Sequence, residues 1–260
     1  MFLKCLAAMS SGGVLGKSCM AGEGIELYVG LIAAIDTEQA LESCRMLLSA
    51  EERHRAGCFV HERHQRLYTF AHGLLRVALS NSEPAVAPAD WSFVVGPHGR
   101  PFVAAPGIAR PIYFSLSHTE GCVACAISRV EAVGLDVERM EPRGSIPEIA
   151  EHAFAPDEVE ALRGLAPDQL FERFFDYWTL KEAYIKAMGI GLQLPLDQFA
   201  ISLADNKIAI SFTDEIDDDP QRWHFTRLSP STRHRLAIAD GSGIPGGLPI
   251  VMRPWPVPTP

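Results

Sequence analysis

At 260 residues, 47% hydrophobic and 21% charged, the chain is too long and too apolar for a disulfide-stapled miniprotein or a disordered tail, and it can bury one or two cores. Its 23 basic and 32 acidic side chains leave a net charge of −9, which argues against a uniformly basic nucleic-acid binder while leaving room for a local basic patch. Six scattered cysteines show no disulfide-scaffold rhythm and indicate a reducing, cytoplasmic setting, and no apolar run reaches the roughly 20 residues of a membrane-spanning helix.

Residues 1–22 read as a flexible leader, because the short apolar stretch MFLKCLAAM carries its one charge internally and ends in small residues, a poor export signal. A β-like segment over 25–35 comes next, then helical patterns over 36–48, 50–56 and 62–79, then strand patterns at 91–95, 112–117 and 122–128. The order then repeats. A strand pattern at 133–138 leads into helical stretches at 146–154, 156–162 and 168–188, followed by strands at 199–203, 207–211, 223–228 and 233–239. Strand, helices and antiparallel strands, twice over, predict a pseudo-duplicated α+β fold of two similar halves, 23–130 and 131–240, each with helices packed on a mainly antiparallel sheet. The tail 241–260 is too rich in Gly and Pro to continue either element and reads as an extended strap or a mobile segment.

In VGLDVE (133–138) side chains alternate faces, so Val133, Leu135 and Val137 can enter a core while Gly134, Asp136 and Glu138 share the other face. Two carboxylates that close repel unless a cation lies between them, and oxygen ligands in that arrangement suit Mg²⁺. An edge strand with two solvated acids is the alternative. The helix 168–188 is apolar around most of its circumference, yet it carries Lys181, Glu182 and Lys186. Buried charges are costly unless paired, and Glu182 and Lys186 stand one turn apart on one face. An internal ion pair would explain them; so would a third carboxylate of a metal site with an ammonium ready for a phosphate.

GLDVE (134–138) followed, 46 residues from Asp136, by Glu182 within WTLKEAYIKAMG (178–189) resembles the 4′-phosphopantetheinyl transferases of the surfactin-synthetase-activating (Sfp) type. The resemblance extends over roughly 48–239. FSLSHT (114–119) is similar to the family's N-[IVL]-S-H segment, with Ser115 where Asn is usual; GPHGRP (96–101) is similar to its G-x-x-G-[KR]-P turn; 49–76 resembles its basic helical region; and FAPDE (154–158) matches the segment after the metal strand.

The resemblance implies a Mg²⁺-dependent transferase that moves 4′-phosphopantetheine from coenzyme A to a serine of an acyl or peptidyl carrier protein. Asp136, Glu138 and Glu182 would ligate Mg²⁺. Lys186 and Lys181 would hold pyrophosphate oxygens, and Ser117 and His118 would reach the nucleotide phosphates. Gly99, Arg100 and Pro101 would shape the adenine and 3′-phosphate pocket, with Arg55 and Arg66 adding charge. Glu158 would take the proton of the acceptor serine, although Pro156, Asp157 and Glu158 are also ordinary helix-start residues. The N-terminal half would thus bind the nucleotide and the C-terminal half the metal, within a monomer whose fused halves complete one cleft.

Other motifs fail on inspection. GSGIPG (241–246) has no helix after it to receive a pyrophosphate, and GKS (16–18) lacks the first glycine and the preceding strand of a P-loop. Cys122 and Cys125 sit inside one strand pattern and read as core, while His54, His61, His64 and His72 lack a partner set at zinc spacing. A non-catalytic coenzyme A-binding module and a Mg²⁺-dependent phosphohydrolase stand as the alternative functions.

Overall fold

The computed structural model describes residues 24–141, 144–191, 194–204 and 207–255, so the leader lies outside the described residues. The first half runs β1 (Ile25–Leu31), a single turn α1 (Ile32–Ile35), α2 (Glu38–Leu47), α3 (Ala50–Gly57), α4 (Glu62–Ser82), β2 (Ser92–Val95), β3 (Pro101–Ala105), β4 (Tyr113–Thr119) and β5 (Cys122–Ser128). The second half runs β6 (Val133–Arg139), α5 (Ile146–Ala153), α6 (Pro156–Arg163), α7 (Pro167–Met188), β7 (Phe199–Ala204), β8 (Lys207–Phe212), β9 (His224–Ser231) and β10 (His234–Asp240), and β11 (Ile250–Arg253) follows.

Local chemistry marks the helix ends. The Thr37 hydroxyl accepts from the Ala40 N–H at 3.1 Å to start α2. Ser49 and Glu52 form a capping box at the start of α3, with reciprocal contacts of 3.1 and 2.7 Å. Gly189, at φ +68°, ends α7 in the left-handed conformation that glycine adopts without strain.

Strand order is β11-β1-β5-β4 in the first sheet and β6-β10-β9 in the second, antiparallel except for the β11-β1 pair, and each half adds a separate hairpin, β2-β3 or β7-β8. The α+β class is therefore as predicted, and the strand orders of the two sheets are compatible with the expected pseudo-duplication. The two sheets face each other with the long helices outside. β5 is buried along its whole length because both of its faces are covered. Val123, Cys125 and Ile127 pack with Leu74, Leu75 and Leu79 of α4, whereas Cys122, Ala124 and Ala126 pack with Val133, Leu135 and Val137 of β6. On the far side, Phe174, Leu180, Ala183 and Tyr184 of α7 join Ala237 and Ala239 of β10. Cys122 and Cys125 are free thiols in this core, as their place in a strand predicts.

Two local expectations change, and the tail takes the extended form rather than the mobile one. Residues 32–35 leave the strand as a helical turn, and β3 appears where no strand was expected, its short half-exposed run being held by pairing with β2. The tail folds back across the molecule: β11 pairs in parallel with β1, from Ile25 opposite Ile250 to Tyr28 opposite Arg253. Trp255 then packs on Phe70, and the indole occupies the space a side chain at Gly30 would need. No helix among the described residues is long and apolar enough to cross a membrane.

Candidate active site

The approach of β6 to α7 creates the site. A Cβ on Gly134 would lie 2.0 Å from the Ala183 carbonyl oxygen and 2.4 Å from the Ala187 nitrogen, so glycine is what lets strand and helix backbones touch. Two residues on, Asp136 is only 4% exposed. Its Oδ1 accepts from Lys186 Nζ at 2.7 Å and from the Ser117 hydroxyl at 2.9 Å, and Lys186 Nζ also lies 2.9 Å from Ser117 Oγ. Asp136 Oδ2 is buried with no hydrogen-bond partner among the described residues. Burial, and then the charge of Asp136, raise the pKa of Glu182, against the opposing pull of Lys186.

Beside this cluster a cleft of about 290 Å³ opens between the halves. The β2–β3 turn contributes His98, Gly99, Arg100 and Pro101; β4 contributes Phe114, Ser115 and Leu116; α7 and the residues after it contribute Glu182, Ile185, Lys186, Gly189 and Gly191. Arg100 reaches across to α7, donating to the Ala187 carbonyl at 3.0 Å and to the Glu131 carbonyl at 3.0 Å, which satisfies a helix end that would otherwise lack donors. Burial lowers its pKa. His118 is next to last in β4, and desolvation, followed by the charges of His72 and Lys186, holds its pKa low.

The structure thus gathers Asp136, Glu182, Lys186 and Ser117, and lines the adjoining cleft with Gly99, Arg100 and Pro101. Glu138, next on the same face of β6, accepts from the Thr119 hydroxyl at 3.4 Å. Other expected residues lie elsewhere. Glu158 and Lys181, 1% and 0% exposed, form a buried pair at 2.6 Å. Glu158 Oε2 also accepts the Ala155 N–H at 2.9 Å, Oε1 accepts the Ile201 N–H at 2.7 Å, and Lys181 donates to the Phe199 carbonyl at 2.5 Å. Burial pushes Glu158 up and Lys181 down to about 8. The pair fastens α6 and α7 to β7. With both carboxylate oxygens and the ammonium engaged below the surface, this arrangement offers Glu158 no contact with an acceptor hydroxyl and Lys181 none with a pyrophosphate, contrary to the expectation from sequence. Arg66 turns to the α1–α2 corner, 3.0 Å from Asp36 and 2.6 Å from Glu38, and those carboxylates raise its pKa. Arg55 is exposed on the last turn of α3.

Sequence reasoning missed a buried network on the α3–α4 side, where Glu52 accepts from Arg76 at 2.7 and 3.0 Å and meets His72 at 3.1 Å. The signal was present in the capping box, since an acid at its third helical position was read only as part of a basic helix. The hydroxyls of Ser115 and Thr119 were missed as well, although their i, i+4 spacing about Ser117 puts all three on one face of β4.

The donor set suits a hard divalent cation. Asp136 supplies a buried oxygen without a partner among the described residues, and Glu182 is a neighbouring carboxyl whose proton affinity is raised by burial first and by the negative charge of Asp136 second. Among the described residues no three His, Cys, Asp or Glu side chains already stand together as a set able to hold a metal ion. Asp136 and Glu182 are the two acids whose charges bear on each other beside Lys186.

Residues 132–239, from the start of β6 to the end of β10, match the 4′-phosphopantetheinyl transferase superfamily. The chain is 32% identical over 214 residues to the 4′-phosphopantetheinyl transferase HetI of Nostoc sp., covering 82% of this chain and 87% of that protein. It is 34% identical over 167 residues to a 4′-phosphopantetheinyl transferase of Bacillus subtilis, covering 64% and 71%. Against 4′-phosphopantetheinyl transferase Sfp of Bacillus subtilis (strain 168), the identity is 27% over 179 residues, covering 68% and 77%.

Proposed function

Because this chain belongs to the 4′-phosphopantetheinyl transferase superfamily, and so transfers the phosphopantetheine group of coenzyme A to carrier proteins, we propose that the reaction takes place where the cleft meets Asp136, Glu182 and Lys186. The observation that carries this reading is the Asp136 carboxylate, held on one oxygen by Lys186 and Ser117 and unpartnered on the other, buried between the two halves.

Asp136 and Glu182, joined by Glu138 from the same strand face, are the residues that would hold Mg²⁺. The cation would supply positive charge to the pyrophosphate and to the leaving 3′,5′-ADP. Lys186, whose side chain is 31% exposed and lines the cleft, places a second positive charge beside it. Gly99, Arg100 and Pro101 supply a turn against which a nucleotide can lie, and His118 would reach its phosphates. The acceptor serine oxygen bonds to the β-phosphorus as the bond to 3′,5′-ADP breaks, and the serine proton needs a base. Glu182, the carboxyl that lines the cleft, is the group placed to take it. Both walls of the cleft come from one chain, which supports action as a monomer.

The test is incubation of the protein with fluorescent coenzyme A, Mg²⁺ and a panel of apo carrier proteins. The expected result is label on the carrier serine that disappears on chelation of the metal. Tight binding of coenzyme A without labelling of any carrier would favour a binding module, and release of phosphate from coenzyme A without a carrier would favour a phosphohydrolase; either result overturns the proposal.

A further inference from the structure

β4 and β6 belong to different sheets, yet their edges meet through side chains rather than through a backbone ladder. Three β4 hydroxyls at alternate positions accept the β6 N–H groups: Ser115 from Leu135 at 2.9 Å, Ser117 from Val137 at 3.2 Å and Thr119 from Arg139 at 3.2 Å. A strand edge of this kind must find acceptors for its N–H groups or leave them unpaired in the interior. Each hydroxyl that accepts still has one proton to donate. Ser115 directs its proton to the Leu135 carbonyl at 3.4 Å, but Ser117 and Thr119 direct theirs to acids, Asp136 Oδ1 at 2.9 Å and Glu138 Oε2 at 3.4 Å. The same rung that fixes the backbone of one residue thus fixes the carboxylate of the residue before it.

We infer that Ser117, seconded by the longer contact from Thr119, is a positioning residue: it orients the Asp136 carboxylate for a divalent cation instead of touching the phosphates of coenzyme A. This inference rests on the cation reading of Asp136 given above. With Oδ1 committed to Ser117 and Lys186, Oδ2 is the oxygen left for a cation, and the Ser117 hydroxyl is in turn held by Val137. Partners of this kind around metal ligands are worth about 10- to 100-fold in affinity.

The experiment is Mn²⁺ titration of the full chain, followed by the paramagnetic signal of free Mn²⁺, together with KM for coenzyme A at saturating Mg²⁺. Ser117→Ala should weaken Mn²⁺ binding about 10- to 100-fold with KM for coenzyme A little changed. Ser117→Thr, which keeps the hydroxyl, should restore the metal constant. Ser115→Ala removes a rung that serves a carbonyl, so it should lower the melting temperature without moving the Mn²⁺ constant. If Ser117→Ala does not fold, Ser117→Cys takes its place, with the same shape, a somewhat larger atom and a weaker hydrogen bond. An unchanged Mn²⁺ constant in Ser117→Ala, or a raised KM for coenzyme A with the metal constant intact, overturns this inference alone. Failure of the wild-type chain to bind Mn²⁺ overturns it together with the cation reading.

Discussion

Glu158→Gln separates a structural carboxylate from a catalytic one. Three donors converge on Glu158: the Ala155 and Ile201 N–H groups and the Lys181 ammonium. A carboxylate has oxygens for all of them, whereas an amide has one acceptor oxygen and turns an NH₂ toward the remaining donors. The substitution also leaves the Lys181 ammonium, 0% exposed, without its counter-charge. Removing one member of a buried pair costs about 3–5 kcal/mol. At roughly 2–4 °C per kcal/mol for a chain of this size, the melting temperature should drop by about 6–20 °C. Combining Glu158→Met with Lys181→Met should recover part of the loss, since the uncompensated ammonium is gone while the Ala155 and Ile201 N–H groups still lack an acceptor. The assay is calorimetric melting of the two variants and wild type beside carrier labelling measured well below their transitions. Glu158→Gln should melt early and retain transfer. A melting temperature within about 1 °C of wild type, accompanied by loss of transfer, would refute the buried-pair reading and return Glu158 to the role of base.

Further outcomes follow from other contacts. Gly134→Ala must push β6 off α7, because its Cβ would overlap the Ala183 carbonyl, so melting temperature and Mn²⁺ affinity should fall together; an unchanged value of either contradicts the close approach. Burial alone would raise Glu52, but hydrogen bonds from His72, Ser49 and Arg76 outweigh it and hold the carboxyl at about 2, against an ordinary 4.5. A folded-state pKa below the unfolded one stabilises above the unfolded value and is lost as pH falls through the folded value. Wild type should therefore exceed Glu52→Gln by roughly 3 kcal/mol in urea unfolding at neutral pH, with the gap closing between pH 4.5 and 2. Arg100→Ala removes two charged donors from the Ala187 and Glu131 carbonyls and should cost about 1.5–3 kcal/mol, read as an earlier melt. A melt identical to wild type would show that Arg100 is not fastening α7.

The sequence disclosed the parts of the molecule that local periodicity governs. Alternation in VGLDVE put Val133, Leu135 and Val137 in the core between the sheets and turned Gly134 and Asp136 toward α7, as found. The apolar circumference of the 168–188 stretch correctly signalled a buried helix, but the three charges on it went to different ends. One turn of helix carries Lys181 and Lys186 to different partners, Glu158 and Asp136, and only the packing of α6 and β7 decides which lysine is enclosed. Arg66 shows the same limit: nothing in a mixed-charge helix reveals that Asp36 and Glu38, some 30 positions earlier, will claim its guanidinium. β11 was hidden because four residues between Gly- and Pro-rich flanks carry almost no strand signal, and the pairing with β1 is made across the full length of the chain. The β4 hydroxyl rungs were visible as spacing and invisible as function, since their partners lie on another strand.

The most direct measurement is carrier labelling by isosteric variants of the two coupled acids, Asp136→Asn and Glu182→Gln, with fluorescent coenzyme A and Mg²⁺, after calorimetry has shown each to be folded. Both should fall to about one-hundredth of the wild-type rate or lower, as expected when charge stabilisation of the leaving group is removed. Labelling by either folded variant within about twofold of wild type would place the reacting phosphate somewhere other than the junction of β6 and α7.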